Sequence, residues 1–203
     1  RGRYMQEAVP VGSGAMAAVL GLDASKVVQA CEESSGSGVV SAANFNAPNQ
    51  VVIAGTREAV SRAGVRAREL GAKRVVRLPV SAPFHTELMQ PAQAKLSSKL
   101  YALRTTKPRV PVVANVDADL KSEAPSSISA LVDQISKPVL WEKVICRLAS
   151  EGVCAYVEVG PGTVLSALVR KIDRKAKVVN FQGPDDLSDV ESWWKECGHS
   201  VSK

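Results

Sequence analysis

His85 is the side chain best suited to chemistry in this sequence, and it lies in the stretch Leu78-Pro-Val-Ser-Ala-Pro-Phe-His-Thr-Glu-Leu-Met89. The sequence holds two histidines; the other, His199, falls in a polar tail. The apolar run Arg74-Val-Val-Arg-Leu-Pro-Val80 predicts a strand, and Pro79 and Pro83 predict the loop that carries His85. An imidazole titrates near neutrality, so a histidine at the mouth of a strand can accept and return a proton. Histidines in such loops also serve as ordinary packed side chains, so the partners of His85 decide between the two roles.

A histidine base needs a nucleophile. The strained elbow Gly-x-Ser-x-Gly does not occur in these 203 residues. Ser13 and Ser37 sit in glycine-rich loops but lack that pattern. The four cysteines, Cys31, Cys146, Cys154 and Cys197, form no Cys-x-x-Cys pair and have no histidine at zinc-ligand spacing. Cys146 and Cys154 fall in apolar contexts and are predicted to be small core residues. Spacing alone therefore yields a base without an identifiable nucleophile. Asn44-Phe-Asn46 with Gln50 clusters amides around a turn, where asparagine is also favoured for its backbone. Glu158-Val-Gly-Pro-Gly162 turns a strand directly into a helix, whose first N–H groups suit an anion. It lacks both the dinucleotide glycine spacing and the P-loop lysine.

The elements that must position these residues follow from periodicity and punctuation. Met16–Leu20 reads as a strand, and Asp23 or Ser25 caps a helix to about Glu33. Val39–Asn44 and Gln50–Ala54 read as strands around the turn Asn46-Ala-Pro-Asn49. Thr56 caps a helix to about Leu70, which Gly71 ends, and Lys73–Val80 is the next strand. The resulting β-α-β-β-α-β order is that of a ferredoxin-like unit. Beyond it we expect helices over 88–103, 127–134, 139–151, 163–171 and 189–197, and strands over 110–115, 155–159 and 177–180. This alternation predicts an α/β layer architecture with parallel pairing.

Composition narrows the class. A hydrophobic content of 45% is enough for a packed core, and no run of about 18 apolar residues predicts a membrane span. The cysteine usage fits a reducing cytoplasm. The net charge of +6 is uneven: residues 57–77 carry seven basic groups (Arg57, Arg62, Arg66, Arg68, Lys73, Arg74, Arg77) against Glu58 and Glu69. Such a face either attracts an acidic partner or is simply a solvated helix surface.

Several ordered blocks resemble the bacterial malonyl-CoA:acyl carrier protein transacylases of fatty-acid synthesis. They are Arg1-Gly-Arg-Tyr-Met-Gln-Glu-Ala-Val-Pro10 with Gly14-Ala-Met-Ala-Ala18, and Asn44-Phe-Asn-Ala-Pro-Asn-Gln-Val-Val-Ile-Ala-Gly55. Pro79-Val-Ser-Ala-Pro-Phe-His85, the Gln134–Trp141 segment with Lys137-Pro-Val139, and Glu158-Val-Gly-Pro-Gly162 follow in the family's order. The resemblance implies transfer of a malonyl group from coenzyme A to the phosphopantetheine thiol of acyl carrier protein, through an acyl-serine. It makes His85 the base, oriented by the backbone carbonyl of Gln134, and Arg1 the clamp on the malonyl carboxylate. Met5, Met16 and Asn44 match positions near the acyl pocket, and Phe84 matches an aromatic that crowds an α-methyl branch. Lys73 and Arg74 match a basic docking site for the acidic carrier protein. No cofactor and no metal are implied.

The family fold is a hydrolase-like α/β acyltransferase domain, matched here by 1–12 and 81–203, with a ferredoxin-like subdomain inserted over 13–80. The family's nucleophilic serine and its oxyanion loop precede the position of Arg1. The resemblance therefore implies that this sequence is the C-terminal two-thirds of such an enzyme, inactive alone. An uncovered sheet surface would then invite association. The alternative is a non-catalytic ferredoxin-like module that docks acyl carrier protein or binds RNA. RNA-binding sheets display aromatics on their central strands, and Val39–Asn44 and Gln50–Ala54 carry none. Neither nucleic acid nor membrane is an expected partner.

Overall fold

The computed structural model describes residues 1–10, 12–36, 38–80 and 82–198. Ser37 and His199, singled out above, lie outside them. The chain divides into two compact units, Arg1–Val144 and Ile145–Lys203.

The first unit opens with α1 (Gly2–Ala8), a helix that periodicity does not predict. Its N-cap, Arg1, makes no side-chain capping bond, and Met5 is its buried residue. Next come β1 (Gly14–Leu20), α2 (Ala24–Ser34), β2 (Val40–Ala47), β3 (Gln50–Thr56), α3 (Arg57–Glu69) and β4 (Arg74–Arg77). These strands form one antiparallel sheet in the order β2-β3-β1-β4. β1 is central and covered on both faces, which explains its run of small apolar residues rather than a polar alternation. Ala15, Ala17 and Val19 join Val27, Ala30, Ala59, Ala63 and Ala67 of the two helices in the main core. Met16 faces the other way, with Ala43, Val52 and Ala54, and Phe84 packs against this second cluster.

Local chemistry sets the element ends. The Asp23 carboxylate accepts from the Ser25 N–H at 2.8 Å and caps α2. Gly71, at φ +106°, ends α3: its N–H donates to the Arg68 carbonyl at 3.0 Å while the Ala72 N–H donates to the Ala67 carbonyl at 2.9 Å. That pair of bonds satisfies the last carbonyls of the helix. On β3, an added Cβ at Gly55 would stand 1.9 Å from the Val39 carbonyl oxygen, so the strands approach there only because the residue is glycine.

A 3-10 turn over Glu87–Met89 leads into α4 (Gln90–Tyr101), followed by β5 (Val112–Val113), β6 (Leu120–Lys121), α5 (Ala124–Asp133) and α6 (Trp141–Ser150). The strand expected over 110–115 shortens to two residues and pairs antiparallel with β6; Pro111, at its edge, has no N–H to extend the ladder. α5 starts earlier than expected because Pro125 is tolerated in a first helical turn. Val139 lies beside β2: its N–H donates to the Ala43 carbonyl at 2.9 Å and its carbonyl accepts from the Phe45 N–H at 2.8 Å.

The second unit holds β7 (Ala155–Val159), α7 (Val164–Ile172), β8 (Lys177–Phe181) and α8 (Leu187–Glu196), with β7 and β8 parallel. Val159 and Val164 are 74% and 70% exposed, so the carboxyl end of β7 and the start of α7 present apolar surface. Cys146 and Cys154 are exposed, contrary to their expected place in the core. Val144 and Ile145 take the inward positions of α6, which turns the next residue outward. Among the described residues, no helix is long and apolar enough to cross a membrane.

Candidate active site

His85 sits on a tight turn whose inner residues are buried. The Thr86 hydroxyl, 1% exposed, donates to the Pro83 carbonyl at 2.8 Å, and the Met89 N–H donates to the Thr86 carbonyl at 2.9 Å. This winding holds His85 at φ +61°, a left-handed conformation uncommon for a residue with a side chain. Backbone strain of this kind persists where the surroundings fix it, often at functional sites.

The ring is anchored from one side. His85 Nδ1 lies 2.8 Å from the Gln134 carbonyl oxygen and 3.2 Å from that of Lys137. Carbonyl oxygens only accept, so Nδ1 must carry the proton, and the neutral ring keeps its lone pair on Nε2. Burial lowers the His85 pKa below its ordinary value, and the charge of Arg1 adds to this; the two carbonyl bonds oppose it. The lowered pKa favours the neutral ring at physiological pH.

Apolar packing brings several of the sequence-predicted residues to this turn. Met5, Ala82, Met89, Ala92 and Ile135 form one buried cluster, and Phe84 packs against both that cluster and the Met16 cluster beneath the sheet. Arg1 starts α1 and is close enough for its charge to act on His85. Asn44 lies on β2 at the bridge to Val139, half-buried. A cavity of about 390 Å³ opens beside His85, bordered by Thr86, Glu87, Ser136, Pro138 and Ser41.

Lys73 and Arg74 are elsewhere. They stand exposed at the opening end of β4, opposite Leu20, whereas the path to His85 leaves the closing end at Leu78. Most of the other basic groups of 57–77 are engaged within the fold. Arg57 donates to the Gly12 carbonyl, Arg62 to that of Ser34 and Arg68 to that of Val75, while Arg66 pairs with Glu33 and Glu69.

The Glu158 carboxylate caps α7. It accepts from the N–H groups of Leu165 and Ser166 at 3.0 and 2.7 Å and from Asn180 Nδ2 at 2.9 Å. Burial pushes its pKa up, but these hydrogen bonds outweigh it and hold the group below the usual range. The helix start is thereby already supplied with an anion. Among the described residues, no group of three or more His, Cys, Asp and Glu side chains is placed to hold a metal.

The second acceptor, the Lys137 carbonyl, is a feature sequence reading missed. The one local signal is weak: a residue before a proline is biased toward extended backbone, which narrows the choices at Lys137 without naming a partner for its carbonyl.

Comparison with known proteins adds a family to this geometry. Residues 1–183 match the model of the acyl transferase domain. The chain is 49% identical over 172 residues to the malonyl CoA-acyl carrier protein transacylase of Salmonella typhimurium, covering 85% of this chain and 56% of the relative. It is 44% identical over 188 residues to that of Bacillus subtilis, covering 92% and 59%. Among solved structures, it is similar to an acyl carrier protein S-malonyltransferase of Vibrio cholerae, with TM-score 0.90, 41% identity and coverage of 94% and 62%. It also resembles a malonyl-transacylase solved in complex with its type II polyketide acyl-carrier protein, with TM-score 0.89, 41% identity and coverage of 92% and 60%. The chain thus spans somewhat over half the length of each, and its α/β fold is theirs.

Proposed function

The chain belongs to the acyl transferase domain family, and on that premise we propose that it supplies the base of a malonyl-CoA:acyl carrier protein transacylase. The reaction moves a malonyl group from coenzyme A to the phosphopantetheine thiol of acyl carrier protein, for fatty-acid biosynthesis in the cytoplasm. The observation that carries the reading is the neutral His85 ring, fixed at Nδ1 by two carbonyls with Nε2 left to accept a proton.

In the first half-reaction, Nε2 takes the hydroxyl proton of a serine as its oxygen attacks the thioester carbon. The C–S bond breaks, and the thiolate of coenzyme A leaves with that proton from the imidazolium. In the second half, Nε2 takes the proton of the incoming pantetheine thiol, whose sulfur attacks the acyl-serine, and the serine oxygen departs protonated. The serine elbow is not among these residues, so the reading gives this chain the base and not the nucleophile. Arg1 holds the malonyl carboxylate, and its charge beside His85 supports that place. Phe84, Met5, Met16 and Asn44 border the acyl group, with Phe84 excluding an α-methyl branch. Lys73 and Arg74 meet the acidic carrier protein, which agrees with their exposure. Residues 13–80 are read as a ferredoxin-like subdomain inserted into a hydrolase-like large domain of 1–12 and 81–203; the strand order β2-β3-β1-β4 supports this.

The test joins this chain to the part of the Salmonella typhimurium relative that it does not cover. The chimera is expected to move radiolabelled malonyl groups from malonyl-CoA to acyl carrier protein. His85→Ala is expected to slow that transfer by about 10²–10⁴-fold, the usual contribution of a general base. Transfer by the variant at the parental rate removes His85 as the base.

A further inference from the structure

We propose that Gln93 and Ser136 form a latch that positions His85, by pinning the segment bearing its two acceptor carbonyls to helix α4. The Ser136 hydroxyl donates to Gln93 Oε1, a partly buried contact between residues 43 positions apart. Ser136 lies between Gln134 and Lys137, the residues whose carbonyls hold Nδ1. Gln93 lies in the first turn of α4, the helix that follows directly from the His85 turn through Glu87–Met89. The ring and its acceptors therefore share one support.

The latch has a task that packing leaves undone. Ile135, 0% exposed, sinks into the cluster with Met89 and Ala92 and so fixes the depth of the segment. One apolar side chain in a cluster sets no rotation about the chain direction, because apolar contact is not directional. A hydrogen bond is directional. Backbone bonds restrain the flanks, where the Gln134 N–H donates to the Ala130 carbonyl at 3.0 Å and the Val139 N–H to the Ala43 carbonyl at 2.9 Å; the Ser136–Gln93 bond adds the side-chain tie that joins the stretch between them to α4. Which ring nitrogen carries the proton is set by what the other atoms of the site accept or donate. The latch thus acts on the tautomer of the base through backbone atoms. Gln93 and Ser136 are positioning residues, and the inference rests on His85 being that base.

The test needs no turnover. The chain is labelled with ¹⁵N-histidine and carries His199→Gln, so that a single imidazole is observed across a pH titration. The parent is expected to hold the neutral ring with its proton on Nδ1. In Ser136→Ala the Nδ1–H form is expected to give way to a mixture of tautomers. The titration midpoint is expected to move further down, because acceptor carbonyls favour the charged ring. Gln93→Leu should reproduce both changes, and Ser136→Thr, which keeps the hydroxyl, should restore the parental values. Ser98→Ala, at an exposed position of the same helix, should change neither. A folded Ser136→Ala protein with the parental tautomer and midpoint overturns the proposal. So does a midpoint that rises toward that of free histidine, since that reports opening of the site to water. If Ser136→Ala does not fold, Gln93→Leu decides by the same readings; if neither folds, the pair is a structural pin and the proposal falls. Failure of His85→Ala to slow transfer would remove the base role while leaving these spectra as they are.

Discussion

At His85 the balance of burial against hydrogen bonding has a consequence for stability. The folded pKa lies below the unfolded value of about 6.5, with burial as the first cause. The unfolded chain then binds the proton more tightly than the folded one. Stability is full above about pH 6.5 and is lost as pH falls through the lower folded value. We expect urea midpoints to decline across this window and His85→Gln to flatten the decline; an unchanged profile in that variant would place the titrating group elsewhere. Glu158 acts in a separate, more acidic window. Its carboxylate is held below an unfolded pKa of about 4.3, so its contribution is present above that value and disappears as the group protonates.

Individual elements differ in how far their residues dictate them. Gly55 and Gly71 show two separate needs for glycine. An alanine at Gly71 meets no atom within 4 Å, so Gly71→Ala bears only the left-handed backbone, about 1–2 kcal/mol. Gly55→Ala drives a methyl into the Val39 carbonyl and forces β2 from β3, for about 3 kcal/mol or more, at the upper end of overpacking costs. Denaturant unfolding of both variants should rank them in that order, and equal losses would contradict the steric account. The β1-to-β4 stretch was readable because caps, glycine stops and apolar runs agree there. α1 was not, because it has no capping side chain and Met5 is its one buried residue, with Tyr4 and Ala8 only partly buried against the same cluster. β5 was overread, because Val110, Val112 and Val113 have strand propensity but few partners to pair with.

Over the whole molecule, the site was legible in part. Residue type pointed to His85, and resemblance pointed to Gln134. The Lys137 carbonyl was not legible, because any residue offers a carbonyl and only the folded chain places this one. The basic face was likewise ambiguous in sequence. The fold consumes most of its guanidinium groups and leaves Lys73 and Arg74 exposed at one end of β4. Charge at an exposed rim acts on encounter more than on the bound state. Changing both to Glu in the chimera is expected to slow association with acyl carrier protein by about tenfold at low salt and to weaken its salt dependence. Stopped-flow association rates equal to the parent's would exclude them from docking.

His85 draws its acceptors from residues 49 and 52 positions further along the chain. The pairing of Asn44 with Val139 closes a longer stretch again. Long closures carry an entropic cost that must be met before the contact can contribute, so they form late. The β2–β3 hairpin, by contrast, closes over a turn of a few residues. During synthesis, then, a ribosome carries a chain whose hairpin can already pair while its histidine is still an ordinary imidazole. The tautomer of His85 thus waits on tertiary contacts that the hairpin does not need.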